Sequence, residues 1–213
     1  MQALKDTVAA ACNIARYTAQ DEFCGLADPA LLARDIPNLD LHHAWDISVD
    51  EALALALECE QAARSADPRI SNSEGASVST YEGLFSYANS NGFNAGYPSS
   101  RHGLSCSVIA EAGESMQRDY WYSSARHPAD LDSALAVGLR AGERTVRRLT
   151  PGRVKTCQVP VLFEAPLASG LISHLVSAIS GGSLYRKSSF LLDSLGKQVM
   201  SSLVNIEELT HVP

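Results

Sequence analysis

Among the six histidines of this chain, His174 has the surroundings most suggestive of chemistry. It sits in LISHLVSAIS, residues 171–180, an amphipathic run of the kind that carries the first ligand of many zinc hydrolases. A helical zinc site needs a second donor four residues on, and a carboxylate beside the first as general base. Here the residue after His174 is Leu175, and the residues four and five further on are Ala178 and Ile179. On a helical wheel Ala168, Leu171, Ile172, Leu175, Val176 and Ile179 form an apolar stripe. Gly170, Ser173, Ser177 and Gly181 form a stripe of small residues roughly opposite, with His174 beside it. Two readings follow. Either ligands from elsewhere complete a metal site, or the helix is packed on both faces with the imidazole hydrogen-bonded or at a subunit seam.

The remaining polar candidates are scattered. His42 and His43 are adjacent on a loop, where their side chains diverge, and read as a polar loop tip. His102 follows Arg101 at the head of a strand and is a candidate to face a ligand groove. Arg186 and Lys187, in SGGSLYRKSS, could clamp a peptide carboxylate or an acidic side chain of a partner, or could cap the carbonyls of the preceding helix. That segment is Gly-rich and basic, but it follows a helix instead of leading from a strand into one, the wrong order for a phosphate loop. No GxSxG, GxGxxG or Walker motif occurs. The five cysteines, Cys12, Cys24, Cys59, Cys106 and Cys157, are odd in number, widely spaced and free of any CxxC pair. They read as reduced, mostly buried thiols of a cytoplasmic protein.

These residues are carried by a chain of 213 residues, 46% hydrophobic, with net charge −7. The acidic balance argues against nucleic acid as partner. The best basic run, Arg144, Arg147, Arg148 and Arg153, suits the carbonyl end of a helix. No apolar stretch is long enough to span a bilayer, and no signal peptide is visible. Periodicity predicts helices over 3–18, from Ser48 to Pro68 with a Ser48–Glu51 capping box, over 129–149 with Asp130 as cap, and over 167–180 ending at Gly181-Gly182. Residues 69–124 read as an antiparallel meander of four or five strands, with turns at Asn91-Gly92 and Ala112-Gly113. QVPVLFE, residues 158–164, reads as a short buried strand. The fold class is α+β, helices packed on one face of a mostly antiparallel sheet.

ISGGSLYRKSSFLLDSLGKQV, residues 179–199, resembles the TldD/PmbA family, in its PmbA (TldE) branch. RYTAQDEFCGLADPALLARDIPNLDL, DPRISNSEGASVSTYEGLFSYANSNGF, and SSRHGLSCSVIAE with MQRDYWYSSAR resemble further stretches of that branch. The resemblance implies a modulator of DNA gyrase or a metalloprotease, in which two branches similar in fold pair as a heterodimer. The catalytic branch carries HExxxH on a helix, and the assembly processes unstructured peptides and modified-peptide precursors. Matching through GLISHLVSAISGG puts Ile172, Ser173 and Ser177 in the His, Glu and His slots, and His174 one position past the glutamate slot. The resemblance therefore implies no catalytic or metal-binding residue on this helix, with zinc expected in a TldD-like partner. It also implies that residues 1–213 are a fragment of an N-terminal α+β domain, without the family's C-terminal β-rich domain. Contacts to peptide or partner are then expected from His174, Arg186, Lys187 and His102. Two alternatives stay open: a self-sufficient metallohydrolase with ligands outside this stretch, and a protein-binding modulator of gyrase.

Overall fold

The structure, a computed structural model, describes residues 1–21 and 24–211; Glu22 and Phe23, inside one of the quoted segments, lie outside the described residues. The chain forms two compact units, one up to Thr150 and one from Pro151 onward.

In the first unit, α1 (Gln2–Tyr17) buries none of its residues. A 3-10 turn at Pro29–Leu31 starts from Asp28, whose carboxylate accepts the Ala30 amide. Helix α2 (Val49–Ser65) has the expected capping box: the Ser48 hydroxyl accepts the Glu51 amide and the Glu51 carboxylate accepts the Ser48 amide. Two donors otherwise orphaned at the helix start are thereby satisfied.

Three strands follow instead of four or five: β1 (Ile70–Ala88), β2 (Asn94–Ala112) and β3 (Ser115–Ala125), antiparallel in the order β1-β2-β3. The Ser- and Gly-rich stretches of β1 continue as strand because bulges absorb their irregularity. One bulge lies between Ser73 and Gly75, where Gly75 has φ +101°, a conformation side chains resist. The two expected turns join the strands. Asn89 closes the first by accepting the Asn91 and Phe93 amides on its side chain, with Gly92 at φ +88°. Beyond Arg101 the β1–β2 hairpin runs past the end of β3, whose last partner is His102 opposite Ala125.

Helix α3 (Ala134–Arg147) starts later than expected. Ser133 is its cap, and Asp130 lies in a separate 3-10 turn at Pro128–Asp130. Helices α2 and α3 cover one face of the sheet. Leu104, Cys106, Val108 and Ala110 of β2 meet Cys59 and Ala63 of α2 and Ala134, Val137 and Ala141 of α3, all buried. Burying a side chain the size of Val or Leu is worth about 1.5–3 kcal/mol, so β2 anchors the unit. The helices approach closely because Gly138 and Gly142 face α2. A Cβ at Gly138 would collide with the Cys59 carbonyl and reach 2.8 Å from Ala62 Cβ.

In the second unit, residues 158–164 are irregular and exposed instead of forming a buried strand. Pro160 removes one ladder donor, and no strand among the described residues of this unit offers a partner. Helix α4 (Ala165–Ile179) breaks at Ser180, and α5 (Gly181–Tyr185) begins at the Gly pair expected to end it.

Candidate functional site

The three positions that the resemblance matches to a metal helix, Ile172, Ser173 and Ser177, lie on helix α4. Ile172 is an aliphatic side chain, and the Ser173 hydroxyl donates to the Ser169 carbonyl at 3.1 Å, a bond internal to the helix. Ser177 is exposed, as is His174. One alkyl group and two hydroxyls supply neither imidazole nor carboxylate, so these positions do not fit zinc. Among the described residues, no three His, Cys, Asp or Glu side chains gather closely enough to hold an ion. The helix is not packed on both faces: Leu171, Ile172, Val176 and Ile179 are exposed, and Ala178 is its buried residue. Arg186 and Lys187 are exposed beyond α5. Their backbone amides close the helix end, on the Gly182 and Leu184 carbonyls, and Lys187 takes a left-handed φ of +54°.

His102 is not groove-facing. It is 1% exposed, and both ring nitrogens are engaged. Nε2 lies 2.8 Å from the His43 carbonyl, which can only accept, so Nε2 carries a proton. In the neutral ring Nδ1 accepts from the Thr80 hydroxyl at 2.9 Å. Trp45 meets the ring edge-on at 5.4 Å. Ser100 completes a clasp: its amide donates to the Leu41 carbonyl, its hydroxyl donates to the Arg126 carbonyl, and Ser100 Oγ accepts the His43 amide. His42 and His43 are accordingly not a free loop tip. His42 pairs with Glu82 at 3.0 Å, and the His43 ring contacts His127. Nor are the cysteines mostly buried: Cys59 and Cys106 are, whereas Cys12, Cys24 and Cys157 are exposed. The Cys59 thiol is pushed up by its hydrogen bond with Cys106 and by burial.

The uncovered face of the sheet is different in kind. Gly75, Ser77, Ser105 and Ser107 floor a shallow depression of about 420 Å³ beside Tyr120. Glu74 bridges it to Arg118 at 2.8 Å, and hydrogen bonds from Arg118 and Ser107 hold the Glu74 carboxyl below its ordinary range.

The densest charged arrangement lies where α3 crosses β3. Asp119 and Trp121 point under the helix. The Asp119 carboxylate is nearly buried, accepts the Tyr120 amide at 2.9 Å, and lies 3.6 Å from Arg144 Nε and 3.7 Å from Arg148 Nη1. Arg140 and Arg144 hold their guanidinium carbons 5.2 and 4.9 Å from the Trp121 ring centroid, within cation–π range. The sequence reading assigned the arginines near the end of α3 to the helix dipole alone. The signal it left unused was the four-residue spacing of Arg140, Arg144 and Arg148.

With this geometry in hand, comparison places the chain among known proteins. Residues 42–149 match the central domain, and residues 156–213 the C-terminal domain, of the PmbA/TldA metallopeptidases. The chain belongs to this family. It is 49% identical over 211 residues to the Metalloprotease PmbA of Escherichia coli, covering 99% of this chain and 47% of that protein. It is 50% identical over 210 residues to the Metalloprotease PmbA homolog of Haemophilus influenzae, with the same two coverages. A crystal structure from Bacteroides thetaiotaomicron, described as a candidate modulator of DNA gyrase, superposes with TM-score 0.85 at 29% identity over 94% of this chain and 46% of its own. TldE from Thermococcus kodakarensis, at 18% identity and TM-score 0.61 over 91% of this chain and 43% of its own, shares the fold. The chain spans about half the length of the curated relatives it matches. The two matched regions part between residues 149 and 156, near the division of the compact units at Thr150, where the sequence reading had one N-terminal domain. Residues 151–167 are all exposed.

Proposed function

We propose that this protein is the non-catalytic subunit of a heterodimeric cytoplasmic metalloprotease, binding unstructured peptides that a TldD-like, zinc-bearing partner cleaves. The observation that carries the reading is the identity of the residues in the ligand slots of α4, Ile172, Ser173 and Ser177. A family relationship to metallopeptidases combined with a helix that cannot hold the ion leaves binding and positioning as this subunit's task. The sheet supports it: an unfolded peptide can add to an open strand edge through main-chain bonds, with little dependence on its side chains. Arg186, Lys187 and His174 are exposed and remain candidates for contact with peptide or partner. His102, being buried, acts on such a surface only by holding residues 41–45 against β2.

The test is co-expression of the full-length protein with a relative bearing intact HExxxH, followed by digestion of an unfolded peptide precursor. Cleavage by the pair, with neither zinc nor cleavage in this subunit purified alone, is the expected result. Stoichiometric zinc in the isolated subunit, lost in His174→Ala, overturns the proposal.

A further inference from the structure

We infer that Asn91, at the tip of the β1–β2 hairpin, is a site of spontaneous deamidation, and that its conversion unties the segment around Ala27 from that tip. Asn91 is the one asparagine of the chain followed by glycine; the others precede Ile14, Leu39, Ser73, Ser90, Ala95 or Ile206. Deamidation begins when the amide nitrogen of the next residue attacks the asparagine Cγ. A side chain on that next residue obstructs the approach, and glycine has none. Gly92 also stands in the open: its φ is +88°, and no atom lies within 4 Å of where a Cβ would be. The new bond from Gly92 N to Asn91 Cγ closes a succinimide ring. The Cγ–Nδ2 bond breaks, and Nδ2 leaves as ammonia with the proton of the Gly92 amide. Water then opens one of the two ring carbonyls. The product is aspartate, or isoaspartate with the main chain rerouted through the side chain.

Two hydrogen bonds restrain the step. Gly92 N donates to the Asn89 carbonyl at 3.2 Å, and Asn91 Nδ2 donates to the Ala27 carbonyl at 3.0 Å. Both must open before the attack. The tip is where opening is least costly. Strand β3 ends opposite His102, so among the described residues the hairpin beyond that point pairs as two strands, and two-stranded ribbons are marginally stable in water. The folded protein therefore reacts more slowly than a free peptide, yet at Asn91 before any other asparagine. The consequence reaches the preceding segment, which is tied to this hairpin at two points. At the tip the Ala27 carbonyl takes Asn91 Nδ2, and at the base the Leu41 carbonyl takes the Ser100 amide. Between them the hydrogen bonds are local, from the Ala30 and Leu31 amides to Asp28 and from the Asp40 amide to Asn38. A carboxylate at position 91 has no hydrogen to give, and it sets negative oxygens against the Ala27 carbonyl. The tie at the tip is then lost while the one at Ser100 stays.

The experiment incubates the full-length protein in mildly alkaline buffer and follows each asparagine by peptide mass mapping, with isoaspartate located by an isoaspartyl methyltransferase. Residue 91 is expected to convert first, at a rate below that of a synthetic peptide spanning residues 86–97. Asn91→Gln would have to close a larger and slower ring, so position 91 should stay unconverted over the same period. Hydrogen exchange over residues 28–40 should rise severalfold in the aged protein and in freshly prepared Asn91→Asp. Earlier conversion of another asparagine, a rate at Asn91 equal to the free peptide's, or unchanged exchange over residues 28–40 in Asn91→Asp each overturns the inference. No zinc, partner or cleavage enters this assay, so its failure is separable from failure of the co-expression test.

Discussion

Replacing Gly138 by Ala sets two effects of opposite sign against each other. Ala is favoured over Gly in a helix interior by about 1 kcal/mol. Against this, the new Cβ at position 138 would run into the Cys59 carbonyl, with Ala62 Cβ at 2.8 Å and the Ala63 nitrogen at 2.9 Å. Two of those three atoms are backbone of α2, so no rotamer change relieves the clash; the helices must separate. Overpacking of this kind costs about 1–3 kcal/mol, and a backbone obstacle belongs at the upper end. The net expectation is a loss of about 2 kcal/mol, or roughly 4–8 °C in Tm for a unit of this size. Both tryptophans, Trp45 and Trp121, lie in the first unit, so urea unfolding followed by tryptophan fluorescence reports on it directly. Gly170→Ala is the control. No atom lies within 4 Å of a Cβ there, so α4 should gain about 0.5–1 kcal/mol of helix preference, visible as increased helicity by circular dichroism. A Gly138→Ala midpoint at or above wild type would refute the claim that close helix contact governs this interface.

His102→Ala removes the bonds to Thr80 and the His43 carbonyl and leaves a void under Trp45. A loss of about 2–4 kcal/mol is expected, with faster hydrogen exchange at the His43 and Ser100 amides; an unchanged exchange rate would count against the clasp. The exposed Glu51 and half-buried Asp67 carboxyls are both held low, Glu51 by hydrogen bonds with the Ser48 hydroxyl and amide, Asp67 to about 2 by hydrogen bonds with Arg69. A folded pKa below the unfolded one means the stabilisation is present above the unfolded values of 4.5 and 3.8 and is lost as pH falls through the folded ones. Stability should therefore decline from about pH 4.5 downward, more gently in Ser48→Ala, and a decline of equal steepness in that variant would contradict the assignment. Ellman's reagent should titrate Cys12, Cys24 and Cys157 rapidly in the native protein and reach Cys59 and Cys106 only on unfolding. Rapid reaction of either buried thiol would contradict the core described.

What the sequence made legible was local. The Ser48–Glu51 box could be read because both partners lie within one helical turn. The alternation of Leu104, Cys106 and Val108 against Ser105 and Ser107 identified the buried face of β2 by itself. In β3 both alternating sets contain aromatic and charged residues, so pattern alone could not tell which one faces α3. His102 looked available because its partners, Thr80 and the His43 carbonyl, are 22 and 59 residues away. A histidine at a strand head looks the same in sequence whether the fold closes over it or leaves it open. QVPVLFE failed for a related reason, since an apolar run becomes a strand only where another strand stands beside it. The chemistry of Ile172, Ser173 and Ser177 is read from sequence alone, because the donor atoms of a side chain do not depend on where the helix packs.

The same helix links the packing prediction to the arginine layer over Trp121. Gly138 and Gly142 lie on the flank of α3 that meets α2, while Arg140, Arg144 and Arg148 lie on the flank over β3, and both series repeat every four residues. The absence of Cβ atoms on one flank therefore sets the height at which the guanidiniums cross Trp121 on the other. Two ring contacts near 5 Å leave little latitude, since cation–π attraction requires the cation within about 6 Å of the ring. A methyl group that lifts α3 from α2 should loosen the arginine layer, so in a Trp45→Phe background Gly138→Ala should shift the Trp121 emission to longer wavelength although it removes no contact of that ring. If the Trp121 emission stayed unchanged while stability fell as expected, the arginine layer would be positioned independently of the helix pair, and the coupling argued here would be lost.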